Sequence, residues 1–473
     1  MVSPYRRIAV LGTSVWLTAC GASGSLPACS LPEGVPADAR VVSSLACDGG
    51  GRGVFSAIGA ALTDAPPGGT VVVTAGTWRE AVVLDRDVSL VGSGAATTII
   101  SPPPSASGVR VKGAVAVRVS NLSVEKATAA GIRVDGGELT LQDVDVRATS
   151  KTAFNASPDP LDLPRPAELD EGHGVQVVEG ASLKISGGRI EGNQGVGIYI
   201  SGGRAIIDPT FLVANGSGGI AIIDPTFHEG DTVSVTGATL DGNSLVGVAL
   251  YGEARATLSG VSVTGTLERS GEGGDGLLVV DAANLEVDSA SSVEGSARAG
   301  VLASGSSSVT FGGASNGNGL AGLWAQLGAS ATVVGSALLD ANQVYGLAAT
   351  SGSTLTVDGA TVSGTTGAAD SPGDAVLAAS GAALTITGAT LSGNARAGIF
   401  ADSPSPQTFT VTDVSVTGSQ HGLVLQNQPD GAAWETPTAS SFTAQKVSGD
   451  SILLDAGLGF RASVCASGDC IPR

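Results

Sequence analysis

GATLDGNSLVGVAL at residues 237 to 250 and GATLSGNARAGIFA at 388 to 401 follow one pattern: a Gly-Ala-Thr-Leu strand, a Gly-Asn turn, and a glycine that opens a short apolar run. They lie roughly 150 residues apart, and the sequence between them keeps repeating the second half of the pattern. That is the mark of a stacked array rather than of a local duplication. Aligned on the start of each apolar run, the chain gives GVRV (108), GIRV (131), GVQV (174), GIYI (197), GIAI (219), GVAL (247), GLLV (276), GVLA (300), GLWA (322), GLAA (346), AVLA (375), GIFA (398) and GLVL (422). Steps are mostly 22 to 24 residues, longer where loops enter.

The residue after each start is apolar in every repeat: Val109, Ile132, Val175, Ile198, Ile220, Val248, Leu277, Val301, Leu323, Leu347, Val376, Ile399 and Leu423. Two places on, the column runs from Val111 to Val279 in large residues, changes to Ala303, Ala325, Ala349, Ala378 and Ala401, and closes on Leu425. Alternate strand positions share a face, so both columns point inward. The change to alanine predicts a narrower core there or a larger neighbour filling it. Asn193, Asn215, Asn243, Asn318, Asn342 and Asn394 each stand four residues before a start. Asn tolerates left-handed backbone and bonds to neighbouring amides, so this column predicts a structural ladder from rung to rung. The period fits one coil of a parallel β-helix, three short strands to a rung and rungs about 4.8 Å apart.

Composition agrees. With 70 glycines, 4% aromatic residues and one methionine in 473 residues, the chain lacks the filling of an ordinary compact core. Its Val, Ile, Leu and Ala come in short runs cut by Gly, Ser, Thr and Asn, which favours strands over helices. The 24 basic and 43 acidic residues give a net charge of −19, which argues against nucleic acid as a partner and reads as solubility. No cofactor or metal site is expected.

Arg6 and Arg7, the apolar run Ile8 to Leu17 and a small-residue end have the layout of a secretory signal peptide, too short to span a bilayer. Leu17-Thr18-Ala19-Cys20 resembles the lipobox of bacterial lipoproteins. The resemblance implies removal of residues 1–19, acylation of Cys20, and, with Gly21 following instead of Asp, anchorage at the outer membrane or surface of a Gram-negative bacterium. The other reading, a signal peptide cut nearby that leaves Cys20 a free thiol, stays open. Residues 20–53 form a tether and a loop closed by Cys29 and Cys47; Cys465 and Cys470 close a second loop in 461–473. Free buried thiols are the alternative.

The segment from Val54 (VFSAIGAALTDAPPGGTVVVTAGTWRE) places an amphipathic helix over Val54 to Leu62 before the first strands, so 54–107 reads as a cap and first coils, and 108–460 as the array. With the Gly-Asn turns, this opening resembles the right-handed parallel β-helix proteins of the pectin-lyase-like superfamily, over about residues 54 to 460. The resemblance implies an all-β fold: a single-stranded right-handed parallel β-helix of about 13 or more rungs with an N-terminal capping helix. It says little about function.

Catalytic sets are present only as fragments. Gln142 and Asp143 resemble part of a pectinesterase signature, and Gly-His-Gly around His173 resembles part of a polygalacturonase one, each without its companions. His421 holds the same place before a start as His173, roughly 48 Å away at the rung spacing, so both read as turn residues. AIIDPTF at 205–211 and 221–227 is out of step with the rung and reads as a strand and an Asp-Pro turn. The column between the two inward ones begins polar at Arg110, Arg133 and Gln176, reaches Tyr199, and turns apolar at Leu278, Leu302, Trp324, Leu377 and Phe400. A stripe of this kind reads as a binding face for a glycan or protein partner. The alternative is cover by the insertions 148–171, 266–275 and 365–374, or a dimer contact. Two functions follow: a non-catalytic surface lipoprotein, a rigid scaffold presenting that face; or a carbohydrate-active enzyme (polysaccharide lyase, hydrolase or epimerase) of the same fold.

Overall fold

The computed structural model describes residues 26–151, 172–178, 180–224, 232–367, 372–402, 409–426 and 441–444. Cys20, Cys465, Cys470 and most of the 148–171 insertion lie outside them. Among the described residues, 14 parallel strands stack into one sheet that begins at Val82–Leu84 and ends at His421–Gln426, and 29 strands form a second. The second sheet makes the other two walls of each coil. Its early strands Ala116–Glu125 and Glu138–Arg147 run through a bend where Asn121 and Asp143 take positive φ, of 55° and 52°. In later coils the strand splits at the bend, as in Thr354–Asp358 and Thr361–Ser363. The fold is a right-handed parallel β-helix.

Thirteen side chains of the first inward column, Val109 to Leu423, have no solvent exposure. The alanines from Ala303 are equally buried, and Phe311, the largest fully buried side chain, lies in the coil where they begin. The start glycines have a steric cause. A Cβ on Gly174 would lie 2.6 Å from the carbonyl oxygen of Gly197, and one on Gly197 would lie 2.7 Å from that of Gly219. The same contact recurs at 2.5 Å from Gly247 to Gly276 and at 2.7 Å from Gly322 to Gly346. Real Cβ atoms do not come that close, so the rung spacing itself selects glycine.

The asparagines form ladders through their side-chain amides, as expected, but without the left-handed backbone expected of them. Asn193 donates its side-chain amide to Asn215 Oδ1 at 2.9 Å, and Asn318 to Asn342 Oδ1 at 2.9 Å. None of the six has a positive φ. The left-handed residue is the one before: Gly192 (62°), Ala214 (51°), Gly242 (60°), Gly317 (62°), Ala341 (54°) and Gly393 (64°). That leaves the Asn buried, its amide bonding along the axis. After the left-handed Ala148, Gly265, Gly295, Gly364 and Gly418 the same place holds Thr149, Thr266, Ser296, Thr365 and Ser419, whose hydroxyls are buried without a hydrogen-bond partner.

At the N-terminal end the coil starts earlier than expected. Arg40–Val42 already pairs in parallel with Val54–Phe55 and with Gly69–Val73. Val54 and Phe55 are therefore strand, and the helix runs Ile58–Asp64. It lays Ile58, Ala61 and Leu62 on the open end of the core. Glu80, of the Gly-Thr-Trp-Arg-Glu stretch, accepts the N–H groups of Ile58 and Gly59 at 2.9 and 3.1 Å, a carboxylate on the otherwise unsatisfied donors of the first turn. Cys29 and Cys47 form a disulfide across Cα atoms 4.9 Å apart.

Candidate functional site

The outer face of the 14-stranded sheet carries the predicted stripe and is the candidate site. Register puts Arg110 beside Arg133, then Gln176, then Tyr199, one rung at a time. Asp135 binds both arginines, with Arg133 Nε 2.7 Å away, and Arg133 also donates to Gln176 Oε1 at 3.1 Å. Burial raises the Asp135 carboxyl, but the bonds from Arg133 and Arg110 outweigh it and hold the group below the usual carboxylate range. His173, the first residue of its strand, accepts the N–H of Val196 on Nδ1 at 3.1 Å and stacks on Tyr199 with ring centroids 4.7 Å apart. A buried imidazole held in this way is a packing element.

Further along, the outward residues stand where the sequence places them, yet they are not an open surface. Tyr199, Leu278, Leu302, Leu377 and Phe400 are each no more than 7% exposed; Trp324 is half-buried. The reason is a second outward column, one strand residue before each start glycine, that packs against the first. Val196 joins Tyr199; Val246 and Ala299 join Leu278 and Leu302; Ala397 joins Leu377 and Phe400. Tyr251 bridges the first two clusters and Trp324 the last two. Trp324 is fixed further by an indole N–H donated to Thr350 Oγ1 at 3.0 Å. The result is an outer apolar layer on the outside of the sheet.

Two ion pairs in this layer were missed in the sequence. Asp275, the last residue of the 266–275 insertion, and Asp374, the last of 365–374, are both fully buried. Each is gripped by an arginine of the next rung: Arg298 Nε to Asp275 at 2.8 Å, Arg396 Nε to Asp374 at 2.8 Å. The backbone N–H groups of Ala299 and Ala397 add a bond of 3.2 Å in each case. The signal was the repeated Ala-Arg-Ala-Gly at 297–300 and 395–398, each one coil after an Asp that precedes a start. The 266–275 insertion itself folds as a small hairpin, Glu268–Arg269 against Glu272–Gly273.

Around the second pair the titratable groups concentrate. Tyr345 is in register with Asp374, and Ala397 with His421; Arg396 lies 4.1 Å over the Phe400 ring. Burial pushes the Asp374 carboxyl up, while the Arg396 bonds pull the other way. Burial, then Asp374, raises the Tyr345 hydroxyl. Burial, then the Arg396 charge, holds the His421 imidazole below the usual histidine range, and its Nδ1 is buried without a partner. The other motifs dissolve into architecture. Asp143 is the left-handed bend residue. The AIID halves of the two AIIDPTF copies lie on different walls, Ile206 outward and exposed in Arg204–Ile207, Ile222 buried in Gly218–Asp224, while 225–227 of the second copy lie outside the described residues. Among the described residues no three His, Cys, Asp or Glu side chains converge on a metal-sized site.

These features define a solenoid with a decorated outer sheet, and the sequence agrees. It matches the family described as "Right handed beta helix region" over residues 107–263, 218–373 and 275–433, more than half of the chain. The chain belongs to that family. No curated protein matches its sequence. Among solved structures it is similar to the catalytic domain of a GH87 alpha-1,3-glucanase at 12% identity and TM-score 0.47, over 83% of this chain and 70% of that one. It is also similar to the A-module of the Azotobacter vinelandii mannuronan C-5 epimerase AlgE4, at 13% identity and TM-score 0.34, over 79% and 91%. The N-terminal fragment of bacteriophage phi29 gene product 12 is similar at 10% identity and TM-score 0.44, over 78% and 70%. Likenesses this distant say nothing about what this chain binds.

Proposed function

We propose that the chain is an exported, lipid-anchored and non-catalytic β-helical scaffold that presents the outer face of its 14-stranded sheet to a glycan or protein partner. The observation that carries this reading is the locking of the face. Its two fully buried carboxylates, Asp275 and Asp374, are each held by an arginine of the next rung, which fixes the ends of two insertions. Carboxylates tied to a guanidinium and a backbone N–H in this way hold neighbouring rungs together, and the outer apolar layer between the pairs favours rigidity over chemistry. The half-buried rings of Tyr251, Trp324 and Tyr345 are the surface this face still offers to a ligand. Export is supported by the Cys29–Cys47 disulfide, and the anchor by the lipobox-like Leu17 to Cys20. The test is a glycan array and a partner pull-down with the purified protein, run beside turnover assays on uronate and neutral polysaccharides. Binding without product supports the reading, and product formation ends it.

A carbohydrate-active enzyme of the same fold is the second reading, favoured by the grouping of Tyr345, Asp374, Arg396 and His421 on adjacent rungs. A histidine kept neutral at pH 7 can accept a proton, and an arginine can hold a charged sugar oxygen. Loss of turnover in both Tyr345→Phe and His421→Ala, with the fold intact, would support it.

A further inference from the structure

The 29-stranded sheet changes character along its length. In the preceding coils one outward column of its strands runs Arg118, Thr140, Lys184, Ile206, Ser234, Thr257 and Glu286, mixed in type, so the strands themselves do not demand one residue type. From the next rung the same column reads Thr310, Thr332, Thr356, Thr385 and Thr410, each in direct register with its neighbour and none buried. On the adjoining strand Thr390 and Ser392 continue the hydroxyls across the bend. The second observation is charge. Between Arg298 and Arg396 the sequence holds no Lys, Arg or Glu and only four Asp, and Arg396 is bound to Asp374 on the other sheet.

A surface nearly free of charge gives up the usual protection against association, so its composition points to contact with something. The chemistry of the contact follows from what the strip offers. It has no cation with which to neutralise an acidic polymer. Each threonine presents one hydroxyl and one methyl, held by a stiff β-branched side chain on a rigid strand, so little freedom is lost on binding. The pair of groups recurs at every rung, about 4.8 Å apart, for five rungs. A partner that complements this is uncharged, repeats at a comparable step, and alternates hydroxyls with C–H faces. We propose that the strip from Thr310 to Thr410 is a binding surface for an uncharged polysaccharide lying along the helix axis. It is separate from the outer face of the 14-stranded sheet and stands or falls independently of it.

The experiment measures retention of the full-length protein on microcrystalline cellulose, on chitin and, as the acidic comparison, on alginate beads. Retention is expected on at least one of the two neutral glycans and not on alginate. T356K/T385K should lower that retention at least tenfold with an unchanged melting temperature, while S234K, in the same column three rungs before Thr310, leaves it as it was. Should the lysine pair unfold the protein, T356V/T385V, which keeps the shape and removes the hydroxyls, carries the same expectation. The proposal is overturned by absence of retention on both neutral glycans, by equal retention on alginate, or by full retention of the double variant. A dimer in sedimentation that T356K/T385K dissolves would likewise overturn it, by assigning the strip to a second copy of the chain.

Discussion

Asn215 gives its side-chain amide to Asn243 Oδ1, one rung away, at 3.0 Å, and Asn243 Oδ1 also accepts the backbone N–H of Asn215 at 3.0 Å. The Asn243 amide in turn donates to the Leu212 carbonyl at 2.9 Å. One buried side chain therefore accepts two donors from the neighbouring coil and satisfies one of its carbonyls, which an apolar residue cannot do.

Asn243→Ala should cost about 2 to 3 kcal/mol, because it leaves buried donors of Asn215 and the Leu212 carbonyl unpaired. The same change at Asn284, an exposed outward residue of Asn284–Val287, should stay within about 0.5 kcal/mol. Urea unfolding of the two variants measures the difference, and equal losses would mean that the ladder carries no special weight.

Thr365 interrupts the ladder between Asn342 and Asn394, and its hydroxyl is buried without a partner. Thr365→Asn supplies the missing amide and is expected to add about 1 kcal/mol of stability. A lower urea midpoint than wild type would show that the turn has no room for the longer side chain.

Trp324 joins two outer clusters and hydrogen-bonds Thr350. Trp324→Ala should destabilise by roughly 2 kcal/mol, less than a core tryptophan because the ring is half-buried. If the face also holds a partner, the variant loses pull-down on top of this. Calorimetry combined with pull-down separates the two effects, and an unchanged melting temperature would contradict the packing described.

Arg396→Ala should cost more than Asp374→Ala, since the first leaves a fully buried carboxylate alone and the second leaves an arginine that is 20% exposed. About 3 kcal/mol is expected for Arg396→Ala at pH 7. The pH dependence has a definite sign. A carboxyl whose folded pKa is raised costs stability as pH rises above its unfolded pKa, fully so above the folded one, and loss of Arg396 raises the folded value further. The deficit of Arg396→Ala should therefore shrink as pH falls toward 4, where the carboxyl takes up its proton. A deficit constant between pH 7 and 4 would refute this account of the pair.

Cys20→Ser should move the protein from the membrane fraction to the soluble one, because the acyl chains would be its attachment. Sedimentation with membranes in high salt despite the change would exclude a lipid anchor at this residue.

The columns were legible because burial and backbone contact repeat at every rung. Val109 to Leu423 alternate with outward residues, and the start glycines sit where a neighbouring carbonyl leaves no space for Cβ. The asparagine column was legible in position and in its amide ladder, but not in its backbone: the positive φ belongs to Gly192, Ala214 and their equivalents, one residue earlier. The direction of Leu278 and Phe400 could be read from strand alternation, but their burial could not. It depends on Val246, Ala299 and Ala397 across the strand, whose outward turn comes from the break in alternation at each start glycine. For the same reason Asp275 and Asp374 looked like loop acids. Only stacking brings Arg298 and Arg396 against them.

The glycine-to-carbonyl contact has a consequence for how such a molecule can change in length. A Cβ on Gly276 would lie 2.7 Å from the carbonyl oxygen of Gly300, and one on Gly300 would lie the same 2.7 Å from that of Gly322. Successive interfaces are thus nearly interchangeable, and a whole coil can be removed or inserted without disturbing the fit of those that remain. Deleting residues 300–321 would join two ends that already have matching shapes and shorten the rod by about 4.8 Å. Deleting half a coil would throw every later side chain onto the wrong wall. Length in this protein is a quantity that evolution can adjust in whole turns, as one adds or removes links in a chain.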